Sequence, residues 1–571
     1  MTQERKLYEL WVEKTVGDEE AQRDLRAVAE DDAEISERFY RDLNFGTAGL
    51  RGIMGMGINR MNCYVVGRAA QGLAQYLRGL GIARPSAAIA YDSRLCSEQF
   101  ARHAACVLAA NGVKAYIYAE LMPTPALSYA VRELGCDAGI NITASHNPAA
   151  YNGFKAYDSS GCQIGPQVAD AVQKSIAQTD IFSQVEYMDF DKGVEQGWIE
   201  PIPDSFVEQY LDRVFAEALQ PGICAGAGLS MVFTPLNGAG NRCVRAMLGR
   251  LGIKDVHIVP EQEKPDGNFP TCSYPNPEIR SALELGLLLC AEKGADILIA
   301  TDPDADRLGV AVLHGGEYRI LSGNELGILL LDYICRTRQK LGKMPREPVA
   351  VRSLVSSRMA DLVASHYGAE MRAVLTGFKF IGEVIAGLEE QGRADSFIFG
   401  FEESCGYLSG GYVRDKDAVN AALLVAEMAC ECKLEGKTLI DVLDGLYSQF
   451  GVWKSDVDNF AFEGAQGMKT MASIMETLRE NPPIKIGEDT VGQVFDYGHG
   501  EKIAAGAREK TLLPKTDMIE IRLENGNCVI VRPSGTEPKL KIYYAINGSD
   551  HESVEAVAAV YRAACAKMIG I

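Results

Sequence analysis

The chain has 571 residues, of which 47% are hydrophobic and 23% charged, and a formal net charge of −20. That length exceeds what one hydrophobic core can organise and predicts three or four ordinary domains of a globular protein. The acidic balance, with no basic patch to offset it, argues against nonspecific nucleic-acid binding, and no apolar stretch is long enough to span a bilayer.

Taken in chain order, the first predicted feature is an acidic helical extension over residues 1–40. Tyr64 to Leu80 then reads as helix, Ser86 to Tyr91 as strand, Ser97 to Asn111 as helix and Val113 to Tyr118 as strand. This alternation predicts a mixed sheet covered by helices. A second unit of the same kind starts at Leu229–Phe233, turns at Asn237-Gly238, runs through a helix to Leu251 and returns to strand near Val256. A third starts around Glu347–Val351, with a helix after Ser356 and an apolar segment near Phe397. From about Phe460 the pattern changes to helix Gln466–Leu478, several short strands and a final helix from Ser553 to Met568. Joints are expected near Pro201-Ile202-Pro203, near Ser322-Gly323-Asn324, and between Gly451 and Phe460. The expected division is therefore an extension (1–40), three α/β domains (41–204, 205–322 and 323–455) and an α+β domain (456–571).

Four loops carry the chemistry, and each follows a strand-like run. After Asp137–Ile142 comes Thr143-Ala144-Ser145-His146-Asn147-Pro148, where Pro148 and Asn152-Gly153 oppose continuation of the strand. A tight surface turn is expected here, displaying the Ser145 hydroxyl, with the Lys155 cation ten residues on. After Ala295–Ala300 comes Asp302-Pro303-Asp304-Ala305-Asp306-Arg307. Pro303 argues against a helix, and three carboxylates this close raise one another's pKa unless a cation sits among them. Oxygen-only ligands suit a hard ion such as Mg²⁺. A calcium-binding EF-hand loop would need Gly at 307 and Glu at 313, where this chain has Arg and Leu. After Ser396–Phe399 comes Glu402-Glu403-Ser404-Cys405-Gly406-Tyr407, a polar loop able to hydrogen-bond sugar hydroxyls, with Arg414-Asp415-Lys416-Asp417 beyond it. After Cys528–Val531 comes Arg532-Pro533-Ser534-Gly535-Thr536. Its guanidinium, hydroxyls and close-approach glycine form a phosphate cradle distinct from a Walker loop.

In this order, and with Gly46-Thr47-Ala48-Gly49-Leu50-Arg51-Gly52 ahead of them, the loops resemble the α-D-phosphohexomutase family across nearly the whole chain. The resemblance implies three topologically related α/β domains and a smaller fourth around a central cleft. It implies a phosphosugar mutase in which Ser145 carries a phosphoryl group and exchanges it with a sugar monophosphate through a 1,6-bisphosphate. Asp302, Asp304 and Asp306, with the Ser145 group, would hold Mg²⁺. Lys155 and His146 would move protons, and Arg51 would contact phosphate or orient the acid/base group. Glu402 and Ser404 would grip sugar hydroxyls, with Lys416, Lys379 of the Thr376-Gly377-Phe378-Lys379 loop, and Arg307 as further contacts. Arg532, Ser534, Gly535 and Thr536 would hold the phosphate that is not transferred.

Pro303 and Ala305 stand where the family often has Gly, and Cys405-Gly406-Tyr407 where many members have Gly-His. The wording Tyr151-Asn152-Gly153-Phe154-Lys155 and Asp302-Pro303-Asp304 is most similar to the branch of bacterial phosphoglucomutases and eukaryotic phosphopentomutases. Glucose phosphate is therefore ranked first, pentose phosphate second and mannose phosphate third, with glucose 1,6-bisphosphate as activator and intermediate. A sugar 1,6-bisphosphate synthase would use the same serine and metal with an external donor. A non-catalytic binding protein would be expected to have lost the serine or a metal carboxylate, and all are present. Fifteen cysteines without paired metal-ligand spacing, and an N-terminus lacking a hydrophobic signal core, lead to the expectation of a cytoplasmic enzyme with reduced thiols. A small-molecule sugar phosphate is the expected partner, and a monomer or homodimer the expected state. His103, His257, His314, His366, His499 and His551 lie outside the four loops and are read as structural.

Overall fold

The computed structural model describes every residue except 1, 47–48, 463, 505–506, 512, 534–538 and 571; the side chains of 464–466 are likewise outside the description. The chain divides into two compact units, the first comprising residues 1–321, 382–397 and 405–436 and the second 322–381, 398–404 and 437–571.

In the first unit, the predicted extension is three short helices, Gln3–Lys14, Glu19–Ala27 and Asp32–Phe39, whose N-caps Thr2, Asp18 and Asp31 each accept a backbone N–H. They pack onto the first sheet's helices through Trp11, 1% exposed, whose ring makes edge contacts with Phe39, Tyr64 and Phe182 at 5.3–5.9 Å. The first sheet contains β1 (Leu50–Ile53), β2 (Ser86–Tyr91), β3 (Lys114–Tyr118), β4 (Ala138–Ile142), β5 (Tyr151–Asp158) and β6 (Ile199–Ile202), in the order β1-β5-β4-β2-β3-β6. The second contains β7 (Ser230–Thr234), β8 (Asp255–Ile258), β9 (Ile297–Thr301), β10 (Leu308–His314) and β11 (Glu317–Leu321), in the order β11-β10-β9-β7-β8. The two sheets share one topology: β4 and β9 each pair antiparallel with the following strand and parallel with β2 and β7, which pair parallel with β3 and β8.

The second unit holds β12 (Val349–Ser353), β13 (Glu370–Val374) and β14 (Phe397–Glu402, with Phe397 itself in the first unit), ordered β13-β12-β14 as in the corresponding parts of the first two sheets. The short strand β15 (Gly406–Leu408) belongs to the first unit. The C-terminal sheet is built from β16 (Val452–Ala461), β17 (Lys485–Ile486), β18 (Asp489–Asp496), β19 (Glu501–Ala504), β20 (Ala507–Lys510), β21 (Ile519–Leu523), β22 (Cys528–Pro533) and β23 (Lys539–Gly548). Its order is β16-β23-β22-β21-β18-β19-β20, with β17 on β18. The expected fold class, three related mixed-sheet α/β domains and a smaller α+β domain, matches these sheets. Most of the joint expected between Gly451 and Phe460 is instead strand: β16 pairs with β23 over its whole length, from Val452 opposite Gly548 to Ala461 opposite Lys539, and this ladder to a partner far along the chain overrides the local pattern.

All fifteen cysteines are free thiols, and no described helix is long and apolar enough to cross a membrane.

Candidate active site

The Ser145 loop is not the surface turn the sequence suggested. Ser145 is 4% exposed, and the reason is Arg94, which follows β2 in Asp92-Ser93-Arg94. Its guanidinium donates to four carbonyls of the loop: Ser145 and Asn147 at 2.5 Å, Pro148 at 2.9 Å and Tyr151 at 3.0 Å. Arg94 in turn lies against the carboxylate of Asp92 at 3.3 Å, both side chains having no exposure. Ser145 itself sits at φ 53°, a left-handed conformation that costs a non-glycine residue about 1 kcal/mol or more, and its N–H donates to Thr143 Oγ1 at 2.8 Å. The Arg94 clamp thus holds a strained turn whose side chain faces inward. We expect Arg94→Ala to leave Asp92 as a buried, uncompensated charge and to cost about 3–5 kcal/mol of stability, read from urea unfolding, with turnover falling as the loop relaxes. An unchanged midpoint would remove Arg94 from this role.

Asn152-Gly153, which the sequence marks as breakers, lie inside β5. A Cβ on Gly153 would come within 2.5 Å of the Thr143 carbonyl and 2.8 Å of the Leu50 carbonyl, so this glycine serves close backbone approach between strands. The register places Lys155 opposite Asn141 of β4.

The aspartate loop follows β9 and rests on the Pro235–Ala239 turn. Ala239 N–H donates to the Pro303 carbonyl at 2.8 Å, and any Cβ on Gly238 would meet Pro303 Cα at 2.5 Å. Asp302, Asp304 and Asp306 are at most 2% exposed, and each offers an oxygen within 4.8 Å of the others. Asp302 Oδ1 accepts the backbone N–H groups of Asp306 and Arg307 at 3.1 and 3.0 Å, and its Oδ2 accepts from Ser145 Oγ at 3.1 Å. Asp304 Oδ2 accepts from Lys155 Nζ at 2.7 Å and Thr124 Oγ1 at 2.8 Å, while Asn141 Nδ2 donates to Thr124 Oγ1 at 2.7 Å. Asp306 Oδ2 faces Lys416 Nζ at 3.1 Å and Lys155 Nζ at 3.7 Å. Lys416 also pairs with Asp415 at 3.0 Å, and Asp415 accepts from Tyr157 Oη at 2.8 Å.

Burial and the neighbouring carboxylates push Asp302 well above the usual carboxylate range and raise Asp306. Burial acts the same way on Asp304, but the Lys155 ammonium overrides it and holds that carboxyl far below the range. The Oδ1 atoms of Asp304 and Asp306 are buried without hydrogen-bond partners. Oxygen-only donors, two of them unsatisfied, fit a hard divalent cation.

His146 Nδ1 lies 3.2 Å from Ser145 Oγ, and burial followed by the charges of Arg307 and Arg51 holds the imidazole neutral. Arg51, exposed on β1, donates to Asn147 Oδ1 at 3.3 Å. Arg307 pairs with Glu278 at 3.1 Å. Ser145, His146, Lys155, the three aspartates, Arg307, Lys416 and Arg51 are therefore joined in one network of the first unit. Arg94, Thr124, Asn141 and Asp415 belong to the same network and were missed from the sequence. Their one legible signal is position: Arg94 and Thr124 lie in the segments that follow β2 and β3, on the side where the Ser145 loop follows β4.

In the second unit, Glu402 accepts the Gly377 N–H at 2.7 Å, which ties the Thr376–Lys379 loop to it. Ser404 Oγ lies 3.4 Å from Glu403, which accepts from Ser353 Oγ at 3.0 Å. Lys379 Nζ lies 4.9 Å from the Phe380 ring centroid. Arg532 sits on β22, opposite Lys541. Ser534, Gly535 and Thr536 lie outside the described residues.

The comparisons with known proteins agree with one another. The family described as phosphoglucomutase/phosphomannomutase matches in four pieces: alpha/beta/alpha domain I over residues 42–181, domain II over 205–315, domain III over 322–450 and the C-terminal domain over 493–563. A phosphoglucomutase of Staphylococcus aureus (strain MRSA252) is 36% identical over 526 residues, 92% of this chain and 93% of that one. Among solved structures, the open form of pp63/parafusin, a phosphoglucomutase from Paramecium, aligns with a TM-score of 0.69 at 18% identity, covering 93% of this chain and 97% of that one. Aspergillus fumigatus N-acetylphosphoglucosamine mutase, in complex with GlcNAc-6P and magnesium, aligns at 0.51 and 13% identity, covering 95% and 99%. The structural likenesses bear on fold alone; the four matched pieces and the full-length relative establish that the chain belongs to the phosphoglucomutase/phosphomannomutase family.

Proposed function

We propose that this chain interconverts glucose 1-phosphate and glucose 6-phosphate through a phosphorylated Ser145 and a glucose 1,6-bisphosphate intermediate. The observation that carries the reading is Ser145 Oγ at 3.1 Å from Asp302 in a buried group of three carboxylates. The 36% identity to a phosphoglucomutase over nearly the whole chain supports glucose phosphate as substrate.

Asp302, Asp304, Asp306 and the Ser145 oxygen would hold Mg²⁺, in line with the magnesium in the solved N-acetylphosphoglucosamine mutase complex. Bound there, the ion supplies positive charge against the group being transferred. In the forward half-reaction a sugar hydroxyl attacks the phosphorus on Ser145, the P–Oγ bond breaks, and the proton lost by that hydroxyl ends on Oγ as the serine hydroxyl re-forms. In the return half, Oγ takes back the phosphoryl group from the other end of the bisphosphate. His146, neutral beside Oγ, is suited to accept or return a proton there. Lys155 is raised above its ordinary pKa because the charges of Asp304 and Asp306 outweigh its burial, so it is suited to stay an ammonium and steady the transferred oxygens. Arg51 and Arg307 add positive contacts at the same loops. Glu402, Ser404, Lys379 and Lys416 are assigned to the sugar, and Arg532, Ser534, Gly535 and Thr536 to the phosphate that is not transferred.

Purified protein given glucose 1-phosphate, Mg²⁺ and a trace of glucose 1,6-bisphosphate is expected to form glucose 6-phosphate. EDTA should abolish turnover and excess Mg²⁺ restore it. Parallel assays with mannose, ribose and deoxyribose 1-phosphates rank the substrates, and no conversion of any of them would overturn the mutase reading.

A further inference from the structure

The second unit contains a cavity of about 470 Å³ that none of the groups assigned above lines. Its lining carries three arginines, Arg352, Arg358 and Arg522, against one carboxylate, Asp361. In a chain of net charge −20, this is a local reversal of sign.

Two of the three guanidiniums are held in place. Arg352, 5% exposed, donates from Nε and Nη2 to the two oxygens of Asp361 at 2.7 and 2.8 Å. Arg522 donates to Glu520 at 2.6 and 3.2 Å and lies 4.2 Å over the Phe495 ring. Arg358 differs: among the described residues its side chain makes one hydrogen bond, a 3.5 Å contact to the Gly526 carbonyl, and forms no ion pair. Asp361 and Glu520 together offset two of the three charges, which leaves one uncommitted cation beside two oriented ones. Gly368, Ala369 and Ala373 in the lining leave the space open.

The cavity is also separate from the sugar-loop residues. Ser353 of β12 points to Glu403, and successive strand side chains alternate between faces. Arg352 therefore projects from the opposite face, where its register partner on β13, Ala373, lines the same cavity.

We propose that this cavity is a second anion site, which binds a phosphate monoester or inorganic phosphate through Arg358, with Arg352 and Arg522 as preset walls. Planar, fixed guanidiniums suit phosphoryl oxygens, and the volume admits a phosphate with a small organic body but no nucleic-acid duplex. Arg352 and Arg358 belong to the stretch matched by domain III and Arg522 to that matched by the C-terminal domain. A bound anion would link the two stretches and stabilise the unit in proportion to its occupancy.

Calorimetric titration of the full-length protein with inorganic phosphate tests this, comparing wild type with Arg358→Ala and Arg358→Gln. Because Arg358 makes a single long hydrogen bond, both variants should fold and keep wild-type turnover. The expected result is a phosphate-binding component that weakens about tenfold or more in both variants, the loss of one charge-assisted contact, while a second component that depends on Arg532 persists. Repeating the titration with AMP separates the sources: tighter binding than phosphate assigns the site to a nucleotide body, and equal binding to the free anion. Identical isotherms for wild type and both variants would overturn the proposal.

Discussion

Ser145→Ala should lose about four orders of magnitude or more in turnover, because the change removes the atom to which the phosphoryl group is bound. The fold should hardly notice. The contacts that shape the loop use the backbone of residue 145: its N–H on Thr143 and its carbonyl under Arg94. What disappears is the hydroxyl's hydrogen bond to Asp302 and its 3.2 Å contact with His146 Nδ1, together worth about 1–2 kcal/mol. Three readouts separate nucleophile from scaffold. Turnover should vanish, phosphate transfer from glucose 1,6-bisphosphate onto the protein should vanish with it, and the thermal midpoint should stay near wild type. Wild-type turnover in this variant would end the assignment.

Asp302→Asn should reduce Mg²⁺-supported turnover by about two to three orders of magnitude, the range for removing one charge-stabilising group from a preorganised site. In metal-free buffer its stability should change by under about 1 kcal/mol. The two expectations diverge for a physical reason. Asp302 makes no ion pair among the described residues; its oxygens accept two backbone N–H groups and the Ser145 hydroxyl. Burial and the neighbouring carboxylates already push it toward the neutral form, which an asparagine imitates. Asp304 is the contrast, since its carboxylate pairs with the buried Lys155 ammonium, and Asp304→Asn should lower metal-free stability as well as turnover. Denaturation in EDTA, set beside a Mg²⁺ titration of activity, distinguishes these cases. A loss of metal-free stability in Asp302→Asn as large as in Asp304→Asn would make the loop structural rather than a cation site.

Within the first unit, some of the chemistry could be read from the letters and some could not. The aspartate loop was legible because its three carboxylates are near neighbours in sequence and their mutual repulsion is a local property. The strand before it, and the strand before Ser145, were legible because a buried strand is a short apolar run whatever lies across from it. The Ser145 turn was misjudged because polarity and Pro148 describe a surface loop, and nothing within the segment announces Arg94.

By itself, the sequence determined the alternation of strands and helices in three α/β stretches, the change of pattern near residue 460, and the residue types at each loop; that the three sheets share one topology was implied only by the family resemblance. Hydrophobic periodicity and turn chemistry act over a few residues and are written where they act. The tertiary structure alone decided that Ser145 would be buried, that Asn152-Gly153 would run inside a strand, and that residues 452–460 would pair rather than link. It also decided that Lys155 would meet Asp304 across 149 positions and Ser145 meet Asp302 across 157. Such pairings depend on which strands become neighbours, and the energy of a buried charge is set by the partners that packing brings to it.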